Sequence, residues 1–250
     1  MERITSTFIA LCIALGVLFM GTTPAFASSE DISGKFTDPV FLAIVYAALG
    51  KKQGQPITAN ECARVTELDA NVPEYGMPTI KNLAGVEYFT NLERLYCIGN
   101  ELTSLNISKN KKLRVLLCSY NLITNLDVSK NLSLEILDTF SCPLKKLNVS
   151  KNRELRELTV FDNNLRKLNL MNNTKLTHLY VSENRLWKLN LTQNTKMKLL
   201  YCSGNYFTGE NKIKGSSKLN LGDYFVFEPQ NDPPLFERIL YYVCFGWIWM

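Results

Sequence analysis

The sequence predicts a solenoid: a stack of short coils, each adding one parallel β-strand to a curved sheet, behind a small helical N-terminal cap. Three observations predict it. The 250-residue chain repeats itself every 21 residues over at least five units. The first half of each unit alternates side chains with the period of a strand. Asparagines recur at two fixed places in the unit, where they would break a helix. One such unit cannot bury its own apolar face, so neighbouring units have to stack.

The columns of the repeat assign each position a job. Leucine or a relative stands at Leu92, Leu113, Leu134, Leu155, Leu176 and Met197, and again three positions on, from Leu95 to Leu200. Two further on come Cys97, Cys118, Thr139, Val160, Val181 and Cys202. A first asparagine column follows: Asn100, Asn121, Asn163, Asn184 and Asn205, with Cys142 in the third place. Columns headed by Leu102, Leu105 and Ile107 fill the return half, and Asn110, Asn131, Asn152, Asn173 and Asn194 close the unit. In "LERLYCIGN", Leu95 and Cys97 face one way, while Arg94, Tyr96 and Ile98 face the other. A buried asparagine has two donors and an acceptor with which to bond backbone where the chain leaves the strand.

This pattern, L-x-x-L-x-[CVT]-x-x-N-x-L, resembles the leucine-rich repeat. The fold class is therefore a leucine-rich-repeat solenoid, with parallel β-strands on the concave face and loops, short 3-10 or extended turns on the convex face. Cys97, Cys118 and Cys202 read as inward packing residues. Cys142 reads as a weak rung of the asparagine ladder, since a thiol is a poorer donor than an amide.

The ends are irregular. Residues 1–27 have the form of a signal peptide: Arg3, an apolar run from Phe8 to Met20, and a cut expected between Ala27 and Ser28. Residues 28–70 read as a helical N-terminal cap. "TDPVFLAIVYAALG" predicts a helix capped by Asp38, opened by Pro39 and stopped by Gly50. Thr58 and Glu61 have capping-box spacing, which predicts a second short helix. The repeats span 71–215, with an irregular first coil over 71–91 and regular units from 92. Residues 216–230 read as a closing segment, and 231–250 as a linker and an apolar tail too short to cross a bilayer.

The arrangement as a whole resembles the internalin-type secreted bacterial leucine-rich-repeat proteins, on "LAGVEYFTNLERLYC" and on the repeat pattern from Phe36 to Phe227. The resemblance implies a secreted or cell-surface location and a part in adhesion or cell-surface interaction. In such relatives the cap can look like half an EF-hand. Here Lys51, Lys52 and Gln53 stand where acidic ligands would, and only Glu61 matches, so no calcium site is expected.

Function is expected on the concave strands, the usual binding surface of a solenoid. Outward aromatic and aliphatic residues there are expected to be wet, and such clusters mark interaction sites. The expected protein-binding surface is Tyr96, Leu117, Tyr120, Phe140, Phe161, Tyr180 and Tyr201. The partner is a protein ligand, bound by a monomer. A formal charge of +5 is too mild for a nucleic-acid partner. Lysines and arginines gather in the return half and turns, among them Lys109, Lys112, Lys145, Lys146, Arg166 and Lys167, and allow weak association with an anionic envelope surface. The alternative role is a structural envelope protein held by that basic convex face and the apolar tail.

Catalysis is not expected. His178 is the only histidine, it faces outward, and Cys142 belongs to the inward turn column nearly two repeats away. Asp138, Glu157, Asp162 and Glu183 share the concave side, but no nucleophile, base and orienting group converge. The cysteine spacings suit no zinc site, and no cofactor or metal is expected.

Overall fold

The computed structural model describes residues 30–71, 78–207, 212–219, 221 and 225–227. The leader and its cleavage site, and the linker and apolar tail over 231–250, lie outside the described residues.

After a 3-10 turn (Ser33–Lys35), the cap forms helix α1 (Pro39–Ala48) and a single turn, α2 (Ala59–Cys62). Asp38 works at both ends of its carboxylate. Oδ1 accepts from the Val40 and Phe41 N–H groups that open α1, and Oδ2 accepts from Lys81 N–H at 2.7 Å. One buried side chain thus caps the helix and ties it to the first coil. The Thr58–Glu61 capping box is complete, and Lys51 Nζ also engages Glu61. Phe36 closes the cap against Phe41 and Phe89, with ring centroids 5.9 and 6.2 Å apart. Its ring fills the space a Cβ would need at Gly85, which sits at φ +98°; only glycine allows both.

In chain order the strands are β1 (Glu67–Asp69), β2 (Arg94–Tyr96), β3 (Val115–Leu117), β4 (Asn125–Leu126), β5 (Ile136–Asp138) and β6 (Lys146–Leu147). They continue with β7 (Glu157–Thr159), β8 (His178–Tyr180), β9 (Leu189–Asn190), β10 (Leu199–Tyr201), β11 (Ile213–Lys214) and β12 (Phe225–Val226). Eight of them form one parallel sheet in the order β1-β2-β3-β5-β7-β8-β10-β12. On the return side β4 pairs with β6, and β9 with β11. From β2 to β10 each residue pairs with the one 21 positions on, as Leu95 with Leu116 and Leu116 with Leu137. The sheet starts at Glu67, so the first strand lies inside the segment read from sequence as cap.

The inward columns form one continuous core. Leu92, Leu95, Leu102, Ile107 and their repeats, apart from the half-buried Phe207 that ends the Leu102 column, are all but fully buried, each contributing about 1.5–3 kcal/mol of apolar burial.

Two asparagine ladders clamp the corners. In the first, Asn121 Nδ2 donates to the carbonyls of Cys118 and Ser119 in its own coil and of Cys97 in the coil before. Its Oδ1 accepts from Leu102 N–H at 2.9 Å. Asn163, Asn184 and Asn205 repeat this arrangement. In the second ladder, Asn131 Nδ2 donates to Ile107 and Asn110 carbonyls of the preceding coil, and its four column-mates do the equivalent.

Cys142 keeps one of these contacts, a bond from Sγ to the Cys118 carbonyl at 3.4 Å. It offers no oxygen to the Ile123 N–H, which occupies the place of Leu102 N–H one coil on. Burial pushes its thiol up to about 11, so it is protonated and a weak nucleophile at neutral pH. Replacing Cys142 by asparagine is expected to stabilise the fold by about 1 kcal/mol, seen as a higher denaturation midpoint with unchanged slope. Asn163→Ala, by contrast, is expected to cost about 2–3 kcal/mol.

Candidate functional site

The concave face consists of four outward columns. Three belong to the strands and their extension: those through Arg94, Tyr96 and Ile98. The fourth follows at the turn and is unusual in its backbone. Gly99, Tyr120, Ser141, Asp162, Glu183 and Gly204 all have φ between +51° and +73°. This left-handed residue turns the chain so that the asparagine after it points into the core. Its own N–H still reaches the next coil, as Tyr120 does to the Phe140 carbonyl at 2.8 Å. Left-handed non-glycine residues cost about 1–2 kcal/mol each, and the asparagine bonds offset that cost.

The seven residues expected to bind are spread over three of these columns. Tyr96, Leu117, Tyr180 and Tyr201 lie in one strand column, Phe140 and Phe161 in the next, and Tyr120 in the turn column. They gather into two ring stacks. Tyr120 meets Phe140 edge-on at 4.8 Å, and Phe140 meets Phe161 at 5.0 Å. Tyr180 meets Tyr201 at 5.4 Å.

The face is drier than the alternation implied. Phe140 and Tyr180 are only 5% and 4% exposed, and Ser119 and Thr159 are buried as well. Side chains one coil apart stand about 4.8 Å from each other, so large rings cover their neighbours. Tyr120, at 42%, is well exposed, and Tyr96, Leu117, Phe161 and Tyr201 are half-buried.

Acidic groups share this ground. Ser119 Oγ and Phe140 N–H donate to Asp138 Oδ1 at 2.6 and 3.0 Å. Burial nevertheless pushes the Asp138 carboxyl up to about 6. Burial, reinforced by the Asp138 charge, pushes Glu157 up to about 7. His178, the register partner of Glu157, is lowered by burial and by Lys198. Tyr180 is raised, by burial first and then by Glu157. At the rim, Ser141 Oγ donates to Asp162 Oδ2 at 2.7 Å. Among the described residues, no group of three or more histidine, cysteine, aspartate or glutamate side chains is placed to hold a metal ion.

Two features were not anticipated from sequence. Along the N-terminal edge of the strands, Arg114 bridges Glu93 and Glu135, and Glu135 also reaches Arg156. On the return side, Trp187 and Tyr206 form an edge-to-face pair at 5.4 Å, 61% and 49% exposed. Trp187 was detectable, because its column otherwise holds Thr103, Thr124, Lys145 and Arg166.

The raised carboxyls make stability depend on pH. Glu157 holds its proton more tightly folded than unfolded, so the native state binds more protons between pH 4.5 and about 7. Its contribution favours folding below that window and opposes folding above it. Glu157→Gln is expected to raise stability by about 1 kcal/mol at pH 8 and by much less at pH 5, as measured by urea unfolding at the two pH values.

No family model and no curated protein matches the chain. Solved structures do. The functional domain of InlJ from Listeria monocytogenes, which includes a cysteine ladder, is 31% identical with a TM-score of 0.68. The match covers 76% of this chain and 41% of that one. Internalin C2 from the same organism is 20% identical with a TM-score of 0.69, over 83% of this chain and all of that one. The L. monocytogenes internalin InlF is 20% identical with a TM-score of 0.56, over 80% of this chain and 71% of that one. The last two show the fold; the first adds sequence likeness, over less than half of the InlJ domain's length. This chain carries cysteine at three of the six rungs of its strand column, Cys97, Cys118 and Cys202, all buried. With its 21-residue coils, asparagine ladders and parallel concave sheet, the chain has the leucine-rich-repeat solenoid fold and is similar to the internalins.

Proposed function

We propose that this chain is an exported recognition module that binds a protein ligand through its concave face, in adhesion or another cell-surface interaction. The observation that carries the reading is the pair of ring stacks, Tyr120–Phe140–Phe161 and Tyr180–Tyr201. Core formation does not call for them, because the inward leucines already bury the other side of the sheet. Stacked rings offer a large, rigid contact area at low entropic cost, the composition of interface hot spots. Phe140 and Tyr180 brace the stacks, while Tyr96, Leu117, Tyr120, Phe161 and Tyr201 present accessible edges.

An extracellular setting agrees with the leader read from sequence and with the internalin likeness. No described helix is long and apolar enough to cross a membrane. The reading assigns no reaction: the carboxylates and His178 serve the surface rather than a substrate bond.

Tyr201 and Tyr96 are the suitable probes. Tyr180 is not, because truncating so buried a side chain removes packing as well as contact area. With a partner captured by crosslinking to the mature chain, Tyr201→Ala and Tyr96→Ala are each expected to weaken capture at least about tenfold, a loss of ~1.4 kcal/mol. The thermal midpoint should stay within a few degrees. Undiminished capture by both variants would sink the assignment.

A further inference from the structure

We propose that the partner presents a basic polypeptide segment, which lies across strands β5 to β10 with lysine or arginine side chains on Asp138, Glu157, Asp162 and Glu183. This rests on the concave-face reading above and adds the chemistry of the ligand.

Charge segregation carries the argument. From β3 to β10, the four outward columns hold twenty side-chain positions, five per column. Four are carboxylates, one is His178, and none is lysine or arginine. The chain as a whole has a formal charge of +5, so this face has the opposite sign to the molecule around it. The nearest basic column, Arg114, Arg156 and Lys198, runs along the strands' N-terminal edge. There Glu135 engages both arginines.

The placement suits a cation. Asp138 and Glu157 stand on adjacent strands, and Asp162 and Glu183 on adjacent turns beyond Phe161, about 4.8 Å apart coil to coil. Asp138 and Asp162 are hydrogen-bonded by neutral donors: the Ser119 hydroxyl, the Phe140 N–H and the Ser141 hydroxyl. These bonds orient the carboxylates without neutralising them. The upward shift of Asp138 comes from burial, and that of Glu157 from burial and then the Asp138 charge, conditions under which an arriving cation gains most. A lysine or arginine lying between the two rows would also pass the ring faces of Phe161 and Tyr201, adding cation–π attraction.

Two other occupants are less well matched. The apolar stretch 239–250 of this chain has no lysine or arginine. A second copy would have to bring its basic return half, Lys145, Lys146, Arg166 and Lys167, into the concave face.

The test uses fluorescence anisotropy at pH 8 with the mature chain. One labelled peptide of about ten residues alternates lysine with serine, long enough to cross the sheet at ~3.3 Å per residue. Its counterpart has glutamate for lysine. The lysine peptide is expected to bind, more weakly as salt rises, and the glutamate peptide is not. Glu157→Gln and Asp162→Asn should each weaken binding about three- to tenfold, while Lys145→Glu should not. Equal binding of the two peptides, or no effect of either carboxamide variant, overturns the proposal. If it fails while Tyr201→Ala still weakens capture of the crosslinked partner, the recognition surface stands and only its charge preference is wrong. Concentration-dependent self-association that Glu157→Gln abolishes would assign the face to a second copy, and would also overturn it.

Discussion

A buried side-chain amide that bonds backbone in two coils at once is the constraint on which this structure depends. Short strands of three residues make few ladder bonds, and although the buried leucine face resists a one-residue slip, it does not by itself fix the corner of each coil. The asparagine at the end of each strand does. Asn121 fixes the corner of its own coil through Cys118 and Ser119, and fixes its height above the preceding coil through Cys97 and Leu102. The second column repeats this at the other corner. There the amide nitrogens are satisfied, but the Oδ1 atoms of Asn110, Asn131, Asn152, Asn173 and Asn194 find no protein donor. An unmade buried bond costs about 1–3 kcal/mol, so the second ladder holds the stack less economically than the first.

The first ladder also determines what the outside looks like. For the amide to point inward, the preceding residue must turn left-handed. Glycine does this without strain at Gly99 and Gly204, but Tyr120, Ser141, Asp162 and Glu183 do it in between. The side chain at such a position projects from the rim of the sheet, where the core places no demand on its chemistry. The most exposed ring of the candidate surface and two of its four carboxylates occupy this column. Backbone strain and surface chemistry are therefore linked by geometry: the turn that seats an asparagine also displays the residue before it.

The repeat columns were legible in the sequence because a period of 21 marks every position several times over. Strand positions, inward leucines and both asparagine columns follow from counting, and the breach at Cys142 is visible only against that regularity. The concave face was legible in part. Alternation shows that Phe140 and Tyr180 leave the core, but not whether their neighbours cover them. Burial on that face depends on ring size one coil away, as where Tyr120 and Phe161 flank Phe140. Tyr120 itself looks like a strand residue in the sequence, because a left-handed φ at a tyrosine has no local signature; only Gly99 and Gly204, in the same column of other repeats, point to it. The first strand, Glu67–Asp69, was harder to place because it precedes an irregular coil and has no earlier repeat against which to align.

The carboxylates separate a structural account of the concave face from a functional one. Threonine, leucine and tyrosine occupy the Asp138 column elsewhere, at Leu117, Thr159 and Tyr201, and the pairing across the sheet tolerates all of them. Burial raises the Asp138 carboxyl, and burial with the Asp138 charge raises that of Glu157, which opposes folding at neutral pH. A surface selected only to cover the sheet would gain stability from a neutral side chain in place of Glu157. The Arg–Glu ladder at the strand edge shows that neighbouring coils of this stack can alternate charge sign where only stability is at stake. On the face itself they do not alternate. Under the proposal made above, a partner supplies the opposite sign, and the energy that the buried carboxyls withhold from the fold becomes available when it binds.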